Sequence, residues 1–131
     1  MRFLPPTTSQ RIALLLVSVF FCFAGTSHFT NPDFFVAIVP PYLPAPLALV
    51  QVSGVFEILG GLGVLLPKMR RVAGYGLYAL LVAVYPANIH MALNPDQFPD
   101  ISAAALYARL PMQFVFAAGV WWAIRPERAS A

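Results

Sequence analysis

A chain of 131 residues, 60% hydrophobic and 10% charged, with a mean hydropathy of +0.75, is too apolar for a soluble domain and has room for one compact unit. Its net charge of +3 and pI near 9.4 would suit a nucleic-acid partner only if the basic side chains gathered on one face. They stand instead between long apolar runs, which excludes that partner and predicts one all-α membrane domain over residues 1–131, with the lipid bilayer as its main surroundings.

The first run, roughly Ile12 to Ser27, follows Arg2 and Arg11 and is short for a span that needs about 20 residues to cross about 30 Å of hydrocarbon. A basic start before an apolar run also resembles a secretory signal. Removing it would leave three spans and put the carboxy terminus on the wrong side of the charge pattern, so the run is read as a retained span. Cys22, the one cysteine, can form neither an intramolecular disulfide nor a Cys-x-x-Cys pair and reads as a small buried hydrophobe. His28 ends the run near the interface, where a capping or surface role is expected.

Asn31-Pro32-Asp33 reads as a helix start, with Asn31 as N-cap, Pro32 at the first helical position and Asp33 favourable to the dipole. The apolar segment Phe34 to Val39, stopped by Pro40-Pro41, is too short to span and is placed at the outer interface. The second run, Pro46 to Leu66, puts Ser53, Gly54, Glu57 and Gly61 on one face, suited to close approach by a neighbouring helix. Counted from Pro46, Glu57 lies about 16 Å along the helix. A lone ionised side chain at such a depth costs about 3 kcal/mol, so Glu57 must be protonated, paired or wetted.

Lys68, Arg70 and Arg71 precede the third run, Val72 to Met91, where Ala79, Ala83 and Ala87 recur every fourth residue and predict tight helix packing. Pro86 removes a backbone donor and is expected to kink the helix just before Asn88 and His90, which point to different faces. Asn94-Pro95-Asp96 then repeats the earlier tripeptide, with His90 shortly before it as His28 stands before Asn31. The chain thus reads as two halves, each of helix, histidine, Asn-Pro-Asp loop and helix.

In the fourth run, Ser102 to Ile124, Arg109 lies about 10 Å in from a cap at Ser102. The remaining difference of about 6 Å in depth is within reach of a guanidinium, which makes Arg109 the expected partner of Glu57. Gln113 follows on the same face. Tyr75, Trp121 and Trp122 sit where an interfacial aromatic belt is expected, and Tyr85 is the aromatic placed to help an outer-half pocket.

The charges sort by sign. Arg2, Arg11, Lys68, Arg70, Arg71, Arg125 and Arg128 flank one set of span ends, while Asp33, Asp96 and Asp100 occupy the other loops, so the positive-inside rule puts both termini in the cytoplasm. All four spans also bring polar groups to the outer half: His28, Gln51, Glu57, Asn88, His90, Arg109 and Gln113. Such groups usually face a cavity or one another and mark a site. Two histidines without a His-x-x-x-His spacing are a poor metal signal, and none is predicted. No phosphate loop, serine elbow or haem motif is present, and no catalytic residue is assigned.

Several strings, among them Ala24-Gly25-Thr26-Ser27-His28-Phe29, Ser53-Gly54-Val55-Phe56-Glu57, Pro86-Ala87-Asn88-Ile89-His90 and Arg109-Leu110-Pro111-Met112-Gln113, occur in an order that resembles the DoxX-like family of small bacterial membrane proteins. The resemblance runs over nearly the whole chain. It implies a four-helix bundle in the bacterial inner membrane and a link to quinone-coupled sulfur oxidation or to membrane complexes handling oxidative stress. It also coincides with the polar set at Glu57, Asn88, His90, Arg109 and Gln113.

Two functions compete. One is a redox-linked subunit that binds a quinone or another small apolar molecule in the outer-half pocket, as an accessory of a quinone-linked oxidoreductase. The other is a non-enzymatic scaffold or assembly factor that docks membrane proteins, alone or as an oligomer, through the glycine face and the Phe34 to Val39 segment. A permease ranks third, because the inner half has no polar groups to complete a path.

Overall fold

The computed structural model describes residue 5 and residues 7–126; Arg2 and Arg128 lie outside the described residues. Five α-helices follow one another: α1 (Thr8–Thr30), α2 (Pro32–Ile38), α3 (Pro46–Gly63), α4 (Arg70–Leu93) and α5 (Ala103–Ile124), with a 3₁₀ turn at Pro95–Gln97 before α5. All but α2 are long and apolar enough to cross a membrane. The chain is an all-α, multi-pass membrane protein.

Hydropathy alone places the helix ends too far in or too far out. Thr7 accepts a hydrogen bond from the Gln10 amide and starts α1 before its apolar run, so this helix has 23 residues and is no longer short. The shortest span is α3, with 18 residues, or about 27 Å at 1.5 Å per residue. It stops before Leu66 because Pro67 disfavours helical backbone at the residue ahead of it. Arg70 then donates from Nε to the Val64 carbonyl at 2.8 Å and from Nη2 to the Leu65 carbonyl at 3.3 Å, which satisfies carbonyls just past the helix end and places a cation near the negative end of its dipole. Ser102 does cap α5, accepting from the Ala105 amide at 3.2 Å. Asn31 precedes α2 without a side-chain cap bond; its backbone amide instead closes α1 on the Ser27 carbonyl.

The four spans form a ring in which α1 packs on α3 and α5, and α4 packs on α3 and α5. The closest associations are α1 with α3 and α4 with α5, which are the two sequence halves. The start of α1 and the end of α5 meet at one end of the ring, the terminal end: the buried Gln10 side chain donates to the carbonyls of Ala123 at 3.3 Å and Arg125 at 3.0 Å. At that terminal end Leu14, Phe21, Leu77, Leu81, Val120 and Ile124 belong to one buried cluster. A smaller cluster of Ile38, Met91, Phe98 and Leu106 closes the far end.

The small residues divide in use. Gly54 and Gly61 face α1 as their shared face predicts: a Cβ on Gly54 would lie 2.8 Å from the His28 Cβ, and one on Gly61 2.8 Å from the Cys22 Sγ. The alanine row of α4 divides as well, and only Ala87 packs, against the far-end cluster. Ala79 and Ala83 are exposed, because α3 meets α4 along Gly60 and Leu77 and along Gly63 and Ala73 instead.

Candidate ligand-binding site

Between the two buried clusters lies a cavity of about 410 Å³, within the range of small-molecule sites. Its lining is apolar except for His28, Ser53, Glu57, Asn88, Arg109 and Gln113. It opens sideways between α3 and α4, where the lining residues Val52 and Phe56 are more than half exposed. Of the residues expected to form the polar cluster, five reach this cavity and two do not. Gln51 is exposed on α3. His90 turns toward the loop, where its Nδ1 lies 3.2 Å from the Asn94 amide nitrogen and its carbonyl accepts from Asn94 Nδ2 at 2.9 Å.

The expected pairing of Glu57 with Arg109 is replaced by two pairs, one within each half. Glu57 Oε2 is 3.2 Å from His28 Nε2, and Arg109 Nε donates to Asn88 Oδ1 at 3.1 Å. The physical reason is the ring order: α3 and α5 are not neighbours, whereas α3 adjoins α1 and α5 adjoins α4. Matching depth along two helices brings side chains together only when those helices also adjoin. His28 is correspondingly buried, at 6% exposure, and its expected interfacial role gives way to a place in the wall of the cavity.

Around His28 the hydrogen bonds assign the ring. Nδ1 lies 2.9 Å from the Val50 carbonyl and 3.0 Å from Ser53 Oγ, and that hydroxyl itself donates to Val50. A carbonyl only accepts, so Nδ1 carries a hydrogen and Nε2 is the atom turned to the carboxyl. One further proton held by the pair, on Nε2 or on Oε2, leaves it neutral overall in either placement. The 3.2 Å approach is within ion-pair reach, yet Oε2 has no aligned hydrogen bond; angle rather than distance keeps it from one. Phe35 of α2 covers the imidazole, ring centroids 4.1 Å apart.

On the opposite wall Gln113 Nε2 donates to the Leu81 carbonyl at 3.3 Å, close to the α4 turn that Pro86 interrupts. Arg109, half-buried, has no carboxylate within ion-pair distance among the described residues. Its terminal guanidinium nitrogens therefore remain available to an acceptor in the cavity. Tyr85 does not line the cavity; it meets Phe114 edge to face, centroids 6.2 Å apart. Aromatic lining comes from Phe20, Phe21, Phe35, Phe56 and Phe116, with Phe20 stacked on Phe116 at 4.5 Å. Of these rings, Phe35 could have been anticipated from the Asn-Pro-Asp start, which fixes where α2 begins and hence which of its faces turns inward.

A family model for a domain of unknown function, DUF8561, matches residues 17–125. The chain belongs to that family. The match runs from within α1 to the end of α5 but supports no assignment to the DoxX-like family that the sequence strings resemble. No curated protein and no solved structure matches the chain.

Proposed function

We propose that this DUF8561 protein is a membrane subunit that binds a quinone, or a similarly small apolar molecule with a polar head, in the cavity between the α1/α3 and α4/α5 pairs. The observation that carries the reading is two polar walls set across one apolar space. The buried His28/Glu57 pair lines it on one side, and Arg109 lines it on the other with its terminal guanidinium nitrogens unused. A head with two acceptor oxygens would take a hydrogen bond from Arg109 at one end and from the proton of the His28/Glu57 pair at the other. The basic flanks Arg11, Lys68, Arg71 and Arg125 argue for a cytoplasmic terminal end, which puts the cavity in the outer half. Electrons for any redox change of such a ligand would come from a partner enzyme.

The packing favours the scaffold reading less: Gly54 and Gly61 of α3 face α1, and in the Phe34 to Val39 segment Ile38 is buried over the far end of the bundle with Phe34 and Phe35 packed against the same cluster. The resemblance to DoxX-like proteins remains in keeping with a quinone-linked role without carrying it.

Purified protein in nanodiscs, titrated with a benzoquinone, tests the proposal. Saturable binding that falls at least ten-fold in both Glu57→Gln and Arg109→Met is the expected result. Binding that is absent, or that is unchanged in both variants, would overturn it.

A further inference from the structure

The space beside Glu57 continues toward the terminal end of the bundle. A second cavity, of about 790 Å³, lies between α3 and α4 and shares Phe56, Leu80 and Ala83 with the first. It is lined by apolar side chains and glycine alone and reaches Leu66, Met69 and Val72. From Ala83 to Val72 the α4 wall runs eleven residue steps, so the furrow is about 16 Å long at 1.5 Å per residue, roughly half the thickness of a hydrocarbon core of about 30 Å.

Small residues keep this furrow open. On its floor α3 and α4 come close at Gly63, where an added Cβ would lie 2.8 Å from the Ala73 Cβ. On the α4 lip the bulk is missing: a Cβ on Gly76 would meet nothing within 4 Å, and Ala79 and Ala83 are exposed. Ala79 and Ala83, which do not pack helices together, serve as the wall of a channel along the bundle.

We infer that this furrow holds the apolar tail of the molecule whose head lies between Glu57 and Arg109, so that the ligand is a head-and-tail amphiphile with a long isoprenoid or alkyl chain. The inference rests on the ligand reading given above. Buried clusters occupy both ends of the bundle, and of the three residues shared by the two cavities Phe56 and Ala83 are exposed, so a chain attached to the head has a direct path between α3 and α4 into the furrow. The furrow it then enters offers no polar side chain along its length, which suits hydrocarbon. Moving a tail from bilayer to furrow brings little hydrophobic gain, since lipid is as apolar as the protein surface. The furrow therefore contributes selectivity through packing.

The experiment compares two quinones with the same ring, one with a ten-isoprene tail and one without a tail, binding to the unmodified chain, Gly76→Leu and Ala79→Leu in nanodiscs. Gly76→Leu fills the furrow where the backbone has space, and thermal unfolding verifies that both variants keep the fold. The expected result is at least a ten-fold loss for the long-tailed quinone in both variants, with the tail-less one bound as before. Equal binding of the long-tailed quinone by all three proteins would overturn the inference and leave the head pocket standing. Binding of neither quinone to the unmodified chain would overturn the head pocket and the tail furrow together. A furrow filled by the acyl chain of an anionic phospholipid, its headgroup at the exposed Lys68 and Arg71, would show as co-purified phospholipid that is lost in Gly76→Leu and in Lys68→Glu/Arg71→Glu, with quinone binding unaffected; that result also overturns the inference.

Discussion

Gly25 and Gly54 bring the backbones of α1 and α3 into contact. A Cβ built on Gly25 would stand 2.6 Å from the Gly54 carbonyl oxygen, and one on Gly54 would stand 2.9 Å from the Gly25 carbonyl oxygen. The antiparallel crossing sets His28 over Gly54 and Glu57 over Gly25, so each polar side chain passes through the gap left by the other helix's missing side chain. Without that gap the imidazole and carboxyl would be held apart.

Gly54→Ala and Gly25→Ala are accordingly expected to destabilise the bundle by about 1–3 kcal/mol, the usual cost of overpacking, because the atoms in the way include a backbone carbonyl oxygen and a Cβ at each site, neither of which can turn aside. Gly76→Ala is the control: its Cβ meets nothing, and helix propensity favours alanine by up to about 1 kcal/mol. Thermal unfolding in detergent, with the order Gly76→Ala above the unmodified chain above Gly54→Ala, checks both.

His28→Ala leaves the Glu57 carboxyl buried without its neighbour. Removing one partner of a buried pair in a soluble core costs about 3–5 kcal/mol, whereas polar contacts within membrane bundles average about 0.6 kcal/mol and reach about 1.7. The membrane figure governs here, because the unfolded reference also lies in lipid. A double-mutant cycle with Glu57→Ala should return a coupling of about 1 kcal/mol; a coupling indistinguishable from zero would show that the 3.2 Å approach contributes no stability.

Arg109→Met removes the cation but keeps much of the stem's apolar bulk. Since its partner Asn88 is neutral, folding should change by less than about 1 kcal/mol, while a ligand that accepts a charge-assisted hydrogen bond should lose about 1.5–3 kcal/mol, or about ten- to a hundred-fold in affinity. Unfolding and ligand titration of the same sample separate the two effects. A large drop in stability with affinity preserved would instead make Arg109 a structural clamp.

Gln10→Leu should loosen the terminal end. The lost bonds to Ala123 and Arg125 satisfy carbonyls that α5 leaves open where it ends, and faster amide hydrogen exchange over the last turn of α5, with the Gly54 region unchanged, is the outcome that checks it.

Much of the architecture can be read directly from the residues. Four spans, the short helix after Asn31-Pro32-Asp33 and the cap at Ser102 follow from apolar run length and local chemistry, which act over a few neighbouring positions. The membership of the cavity is also largely legible, since Glu57, Asn88, Arg109 and Gln113 are too costly in lipid to face outward. The pairing was not legible. Whether Glu57 reaches His28 or Arg109 depends on which helices adjoin, and depth along a span carries no information about ring order. Gln10 escaped notice because it lies ahead of the first apolar run, and the exposed alanines of α4 because spacing alone does not say whether small residues meet a helix or open a furrow.

The packing of Phe35 over His28, together with the cluster formed by Ile38, Met91, Phe98 and Leu106, covers the far end of the cavity and leaves its openings on the sides of the bundle. A molecule bound beside Glu57 must first dissolve in the bilayer and then enter from the side, so the membrane itself screens candidates by oil solubility before any side chain does. Water-soluble mimics of the headgroup should therefore be poor competitors in intact membranes even when their ring chemistry matches.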